Sequence, residues 1–464
     1  MRRASPALAI AALVACGLAT GCIVGPDYKR PAVVTPDVYR GSGVTTSLAQ
    51  ASVAELRWAE VFEDEQLKAL LRAAVEQNYD VRIAASRVLQ ASALYGITRA
   101  DQFPEVNAEA QAQHERGLRS GNQALSAFTI YQVDAVASWF PDFWGQYRRA
   151  SEGARAQILA SEWGRRAVLT SLVSQVASEY YTLQAFDLQL EIARRTLTSR
   201  QESLQLTEVR ERGGATSLLD VRQAEQLVHS AQAQIIDLGR LIEQQENAIS
   251  VLLGRNPGSI ERDRSLIDRP RPPEIPAGLP SALIERRPDI LQAEHQLAAA
   301  TAQIGVAKAA YFPQISLTGA GGTISSTLSS LFTTGLWSVA GSVVQPLFDA
   351  GRRKSRVALE RARTEEAVLT YQKTVQQAFR EVSDALVGYR GAREFRAEQE
   401  RLVQSAADAR RLTDIRYRGG ASSYLDVLDS DTRLFTAELD LAQAQYNEVA
   451  AFVEIYRALG GGWE

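Results

Sequence analysis

The sequence predicts a mainly α-helical fold that also carries membrane-type β-hairpins. Three observations predict it. The stretch LTEVRERGGATSLLDV (206–221) returns as LTDIRYRGGASSYLDV (412–427) at a constant offset of 206 residues, so the chain is written as two similar halves. After each of two Phe-Pro pairs, Phe103-Pro104 and Phe312-Pro313, the hydrophobic period changes from helical to two, the mark of a strand with one wet face. Proline-free segments follow, 147–212 and 352–418, far longer than the helices of ordinary globular domains.

Composition bounds the function classes. Of 464 residues, 23% are charged and 45% hydrophobic, with a net charge of −3, ordinary for a folded protein. There is no basic excess to hold nucleic acid. The only cysteines are Cys16 and Cys22, both near the N-terminus, so no disulfide staples the mature fold. Met1 is the only methionine, which removes any thioether relay for soft metals such as copper(I).

Residues 1–21 have the plan of a secretory signal, with Arg2 and Arg3 ahead of the short apolar run Ala7–Ala19. That run is too short to span a bilayer. Cys22 follows Leu18-Ala19-Thr20-Gly21, similar to a bacterial lipoprotein cleavage box. Leu13-Val14-Ala15-Cys16 also fits such a box; Cys22 leaves the fuller apolar run and is the lipidation site expected here. A turn-rich strap follows to residue 60. An alanine-rich helical pattern runs from Leu67 to Arg99 and ends before Phe103-Pro104. Its copy keeps an offset of 209, pairing Asp80 with Asp289 and Gly96 with Gly305.

Val106, Ala108, Ala110 and Ala112 alternate with Glu105, Asn107, Glu109, Gln111 and Gln113, and the alternation resumes from Thr129 to Trp139. The second copy runs from Gln314 to Phe348. No Asp, Glu, Lys or Arg occurs from Ala309 to Phe348, yet its Gly, Ser and Thr content disfavours a membrane helix; a lipid-facing β-hairpin explains both. Four such strands per chain cannot close, and open edges are not tolerated in lipid, so at least two chains must share a barrel. In the long segments, Leu169, Val176, Leu183, Leu190, Leu197 and Leu204 recur every seven residues, as do Val368, Val375, Val382 and Tyr389, the spacing of coiled-coil packing. At 1.5 Å per residue, 147–212 reaches about 100 Å.

No catalytic constellation is present. His114, His229 and His295 lie on unrelated elements and belong to no metal-ligand motif; no phosphate loop or nucleophile elbow occurs. Chemistry concentrates instead at the two Arg-Gly-Gly hairpins. Ser217 with Asp220, and Ser423 with Asp426, have capping-box spacing. Asp429 lies three residues beyond Asp426 on the same helical face, where like charges repel. Arg210, Arg212, Arg416 and Arg418 stand across the turns.

Gly21-Cys22-Ile23-Val24-Gly25-Pro26-Asp27-Tyr28, Gly278-Leu279-Pro280-Ser281, Arg286-Arg287-Pro288-Asp289-Ile290, Phe312-Pro313, both Arg-Gly-Gly hairpins and Ala458-Leu459-Gly460-Gly461-Gly462-Trp463 carry a resemblance. The chain resembles the outer membrane factors, the TolC-type ducts, in the lipoprotein branch serving resistance–nodulation–division drug pumps. The resemblance implies a homotrimer with one 12-stranded outer-membrane barrel, four strands per chain, continuous with a periplasmic α-barrel and an equatorial belt. It implies no cofactor, and as partners an inner-membrane pump and a periplasmic adaptor docking on tip residues Gly213, Gly214, Ser217, Gly419, Gly420 and Ser423. It places Asp426 and Asp429 in acidic rings at the inner mouth, and Tyr417 and Asp220 where neighbouring hairpins are tied. Some relatives carry arginine at Ser422. A duct of this fold for type I protein secretion or heavy-metal export is the nearest alternative, and a structural envelope-spanning lipoprotein a further one.

The expected division is 1–21 signal peptide and 22–60 lipidated strap. The first repeat is 61–254, with hairpin strands 105–139, long helices 147–253 and tip 210–221. A proline-rich equatorial connector covers 255–280. The second repeat is 281–464, with hairpin strands 314–348, long helices 352–459 and tip 416–429.

Overall fold

In a computed structural model the structure describes residues 23–40, 56–118, 125–262, 266 and 280–463. Cys16, Cys22, the signal stretch and most of the proline-rich connector lie outside the described residues. The elements in order are α1 (Trp58–Val61), α2 (Glu65–Gln77), α3 (Tyr79–Ala100), β1 (Glu105–Leu118), β2 (Leu125–Trp139), α4 (Gln146–Arg212), α5 (Leu218–Leu252), α6 (Pro280–Arg286), α7 (Pro288–Ala309), β3 (Gln314–Ser325), β4 (Gly335–Val344), α8 (Arg352–Arg418) and α9 (Tyr424–Ala458). The fold is mostly helical with one four-stranded sheet. Among the described residues no helix is long and apolar enough to cross a membrane.

The sheet is antiparallel throughout, in the order β1-β2-β3-β4, so the two hairpins join through β2 and β3, and among the described residues the outer edges of β1 and β4 carry no strand. The register sets Glu109 opposite Asp134 and Asp134 opposite Gly322. Glu105, Asn107, Glu109, Gln111, Gln132, Asp134 and Ser138 therefore share one face, while Val106, Ala108, Ala110, Val133, Ala135, Trp337, Val339 and Val343 share the other. Trp337 and Val339 are 81% and 78% exposed. Gly322 is required for close approach: a Cβ there would stand 2.1 Å from the Val133 carbonyl oxygen. Strand β4 ends at Val344 rather than Phe348, ahead of Pro346, which cannot donate to a ladder.

Two expectations about helices change. The pattern from Leu67 to Arg99 is two helices, broken at Asn78. That residue leaves the helical region with ψ 132°. Its Oδ1 accepts from the amides of Asp80 and Val81 at 2.8 and 3.2 Å, and its Nδ2 donates to the Leu252 carbonyl at 2.9 Å. One side chain thus starts α3 and closes α5. In α4 the leucine heptad is buried at Leu169, Val176 and Leu183, but Leu190, Leu197 and Leu204 are only half-buried. Farther along, the buried seam is Ala193, Arg200 and Thr207. A straight helix drifts about 20° per heptad against a seven-residue repeat, which rotates the leucines off the seam.

The chain forms two compact units, each drawing on both sequence repeats. The first contains 87–162, 292–372 and the strap to residue 32; the second contains 33–86, 163–291 and 373–464. In the first, Gly25 (φ +115°) crosses Gly305, where a Cβ would stand 2.5 Å from the Gly305 Cα. Arg149 pairs with Asp27 and Glu152, both at 2.7 Å. Arg30 grips Glu294 through Nε and Nη2 at 2.8 and 2.7 Å, and Tyr28 donates to Glu294 at 3.0 Å. The Gly-Pro-Asp-Tyr stretch is thereby a docked strap. In the second unit, buried Arg287 bonds Asp289, Glu381 and the Ala458 carbonyl. Arg166 lies between the rings of Trp163 and Trp463, 4.1 and 4.8 Å from their centroids.

Candidate functional site: the paired helical tips

Both Arg-Gly-Gly hairpins lie in the second unit. Helix α4 stops because Gly214 takes φ +72°, and α8 because Gly420 takes φ +75°. In each, two backbone bonds close the helix: Ala215 to the Arg210 carbonyl and Gly214 to that of Glu211, both 2.8 Å, then Ala421 to Arg416 at 2.8 Å and Gly420 to Tyr417 at 3.0 Å. This is the Schellman arrangement, in which the left-handed residue frees two amides to satisfy the last carbonyls. The next helix begins three residues later with a complete capping box, Ser217 with Asp220 and Ser423 with Asp426.

The carboxylates have local work. Asp220 accepts from the Thr216 hydroxyl and, at 3.1 Å, from the Ser217 amide and hydroxyl. Burial opposes its ionisation, but these donors outweigh burial and lower its pKa below the ordinary value. Asp426 accepts from the Ser422 hydroxyl at 2.7 Å, the Ser423 hydroxyl at 2.9 Å and the Ser423 amide at 3.0 Å. The hydrogen bond from Ser422, then those from Ser423, lowers its pKa, so within one chain the shift runs opposite to a like-charge effect. Asp429 pairs with Arg433 at 2.8 Å on an exposed face. Its charge is answered one turn on, a pairing that i,i+4 spacing makes legible in the sequence.

Tyr417 joins the tips. It is buried with Tyr424, Val427 and Ala224, and Leu204 packs on this cluster. Its ring lies 5.6 Å from that of Tyr424. Arg210 donates to the Tyr417 carbonyl at 3.1 Å and stacks 4.5 Å from the ring centroid, tying the first tip to the second. The Tyr417 hydroxyl is buried without a hydrogen-bond partner among the described residues. The other arginines stay local: Arg212 donates to the Glu208 carbonyl, Arg416 to that of Ala421, and Arg418 pairs with Asp414.

Behind the tips stands a group that sequence reasoning missed. Asp431 accepts from Arg200 at 2.8 Å and Arg410 at 3.3 Å, and Arg200 also donates to the Leu227 carbonyl at 3.0 Å. Its one signal was a charged residue seven positions from both Ala193 and Thr207, visible only once the seam is known to leave the leucine repeat. Among the described residues, no group of three or more His, Cys, Asp or Glu side chains is arranged to hold a metal ion.

The arrangement resembles known proteins along nearly the whole chain. The chain is 38% identical over 455 residues to the solvent efflux pump outer membrane protein SrpC of Pseudomonas putida, covering 96% of each. It is 35% identical over 448 residues to the cation efflux system protein CusC of Escherichia coli, again covering 96% of each. The crystal structure of the open state of the Neisseria gonorrhoeae MtrE outer membrane channel superposes with a TM-score of 0.86 at 30% identity, covering 96% of this chain and 99% of that one. The outer membrane efflux protein description matches residues 70–255 and 279–461. Two matched halves, one sheet with open edges and two long helical hairpins are one pattern, and the chain belongs to the outer membrane efflux protein family.

Proposed function

We propose that three copies of this chain form the outer membrane channel of a tripartite efflux pump. The channel conducts drugs and other small toxic compounds passively, and the chain makes and breaks no bonds in its cargo. The observation that carries this reading is the four-stranded sheet with two open edges and one exposed apolar face. Unpaired backbone groups cost several kcal/mol each in hydrocarbon, so β1 of one copy pairs with β4 of the next until twelve strands close. Lipid on Cys22 holds the docked strap to the outer membrane; mass spectrometry of the mature N-terminal peptide tests it, and an unmodified Cys22 or lipid on Cys16 rejects it.

In this reading the helical tips meet at the inner mouth. Asp426 and Asp429 supply six carboxylates around the threefold axis, attracting cations. Tyr417 and Asp220 hold the closed mouth. A periplasmic adaptor, coupled to an inner-membrane resistance–nodulation–division pump, docks at Gly213, Gly214, Ser217, Gly419, Gly420 and Ser423. Docking opens the mouth only through tighter binding to the open state. Planar bilayers test the gate. The isolated trimer conducts poorly and is blocked by divalent cations from the periplasmic side; Asp426→Ala with Asp429→Ala abolishes the block, and Tyr417→Phe or Asp220→Ala raises conductance. Ser423→Ala is the control, since it loses the cap and keeps the carboxylates. A double aspartate variant that kept low conductance and block would remove the acidic gate from this reading.

A further inference from the structure

We propose that Arg200, Asp431 and Arg410 are positioning residues for the mouth: they fix the register of the second tip against the first, and so the height at which Tyr417, Asp426 and Asp429 are presented. The proposal rests on the reading of the tips as a gate. The three side chains lie in one compact unit and join all four of its long helices. Asp431 on α9 takes Arg200 Nε of α4 on Oδ2 and Arg410 Nε of α8 on Oδ1. Arg200 Nη1 reaches the Leu227 carbonyl of α5, and its guanidinium lies 4.8 Å from the Phe435 ring. Arg200 is 3% exposed and Asp431 8%.

Stability does not explain such a group. Buried ion pairs rarely outperform apolar residues of the same volume, and their best-attested use is to specify register. This bundle needs such a device. Around Arg200, from residue 192 to 207, the other buried side chains of α4 are Ile192, Ala193, Thr196 and Thr207, three of them small residues that interlock weakly. The two tips are also near copies, so a shifted pairing would satisfy the same pattern. The ion group breaks that symmetry. At the 206-residue offset its three positions read Ala406, Glu225 and Leu204, and Glu225 pairs instead with exposed Arg222. Asp431 lies two and five residues beyond Asp429 and Asp426, less than two helical turns, so its fixed position passes rigidly to the mouth.

A buried reporter tests this. Val427 is 3% exposed in the tip cluster, and Cys22 is the sole cysteine of the expected mature chain, so Val427→Cys adds one internal thiol. In trimers of that variant, maleimide labelling is slow. Adding Asp431→Asn takes the carboxylate charge and one of its two acceptor oxygens away from buried Arg200 and half-buried Arg410, and labelling accelerates by at least about tenfold. The triple change Arg200→Met, Arg410→Met, Asp431→Leu keeps the melting temperature yet labels as fast as Asp431→Asn, with several conductance levels in place of one. Triple-variant labelling as slow as the parent's would overturn the proposal, because packing alone would then set the register. Should those variants fail to assemble, Arg200→Lys decides: it keeps the charge but loses the planar fork that reaches Asp431 through Nε and Leu227 through Nη1, so labelling lies above the parent rate, and a rate equal to the parent's rejects the register role. Failure of the acidic gate appears separately, as unchanged conductance in the double aspartate variant with the labelling result intact.

Discussion

At the scale of single residues, the tips depend on a few positions with no tolerance beside others with much. Gly214 and Gly420 occupy the left-handed region, at φ +72° and +75°. Gly419 does not, and a Cβ on it would meet the Ile415 and Arg416 carbonyl oxygens at an ordinary 3.5 and 3.6 Å. The doubled glycines therefore have different duties. Gly420→Ala adds about 1–2 kcal/mol of backbone strain, so proteolytic nicking of the 418–423 turn rises by roughly 5- to 30-fold, while Gly419→Ala leaves it unchanged. Equal nicking of both variants would count against the left-handed cap. Asp220 and Asp426 were legible as caps from their spacing. Tyr417, whose ring packs between two hairpins about 200 residues apart, was reachable only through resemblance.

At the scale of elements, the strands were easier to read than the helical seams. Alternation depends on neighbours two residues away, so the wet and apolar faces of β1 and β2 followed from the sequence alone. The faces make a directional prediction. If the apolar face meets lipid near the bilayer midplane, Val339→Arg costs about 2–4 kcal/mol, read as lost heat-stable oligomer; Ser338→Arg, on the opposite face, is tolerated. Equal loss from both would sink the assignment of faces. The helical seams drift, and where α4 leaves its leucine register the buried positions become Ala193, Arg200 and Thr207. The break at Asn78 was hidden for a related reason. Its side chain needs the Leu252 carbonyl, from a helix 174 residues along the chain.

At the scale of the whole molecule, the sequence repeats and the compact units are different divisions. Each unit takes segments from both repeats, because two copies of one motif bury their apolar faces most fully against each other. The same logic extends beyond one chain. In the proposed trimer, the sheet edges that carry no strand among the described residues pair with other copies, and light scattering in detergent is expected to give three times the protomer mass. A folded, detergent-stable monomer would contradict the shared barrel.

The sequence by itself determined the alternation of strands, the glycine stops, the capping boxes and the absence of charge from Ala309 to Phe348. Each is written in residues a few positions apart, where local sterics and local hydrogen bonds decide the outcome. Only the tertiary structure decided that β2 pairs with β3, that the strap crosses Gly305, that Arg210 holds Tyr417 and that Asp431 meets both Arg200 and Arg410. These contacts join segments more than a hundred residues apart in most cases. Many partners satisfy the same polarity pattern, and side-chain volume and burial in the packed interior select one.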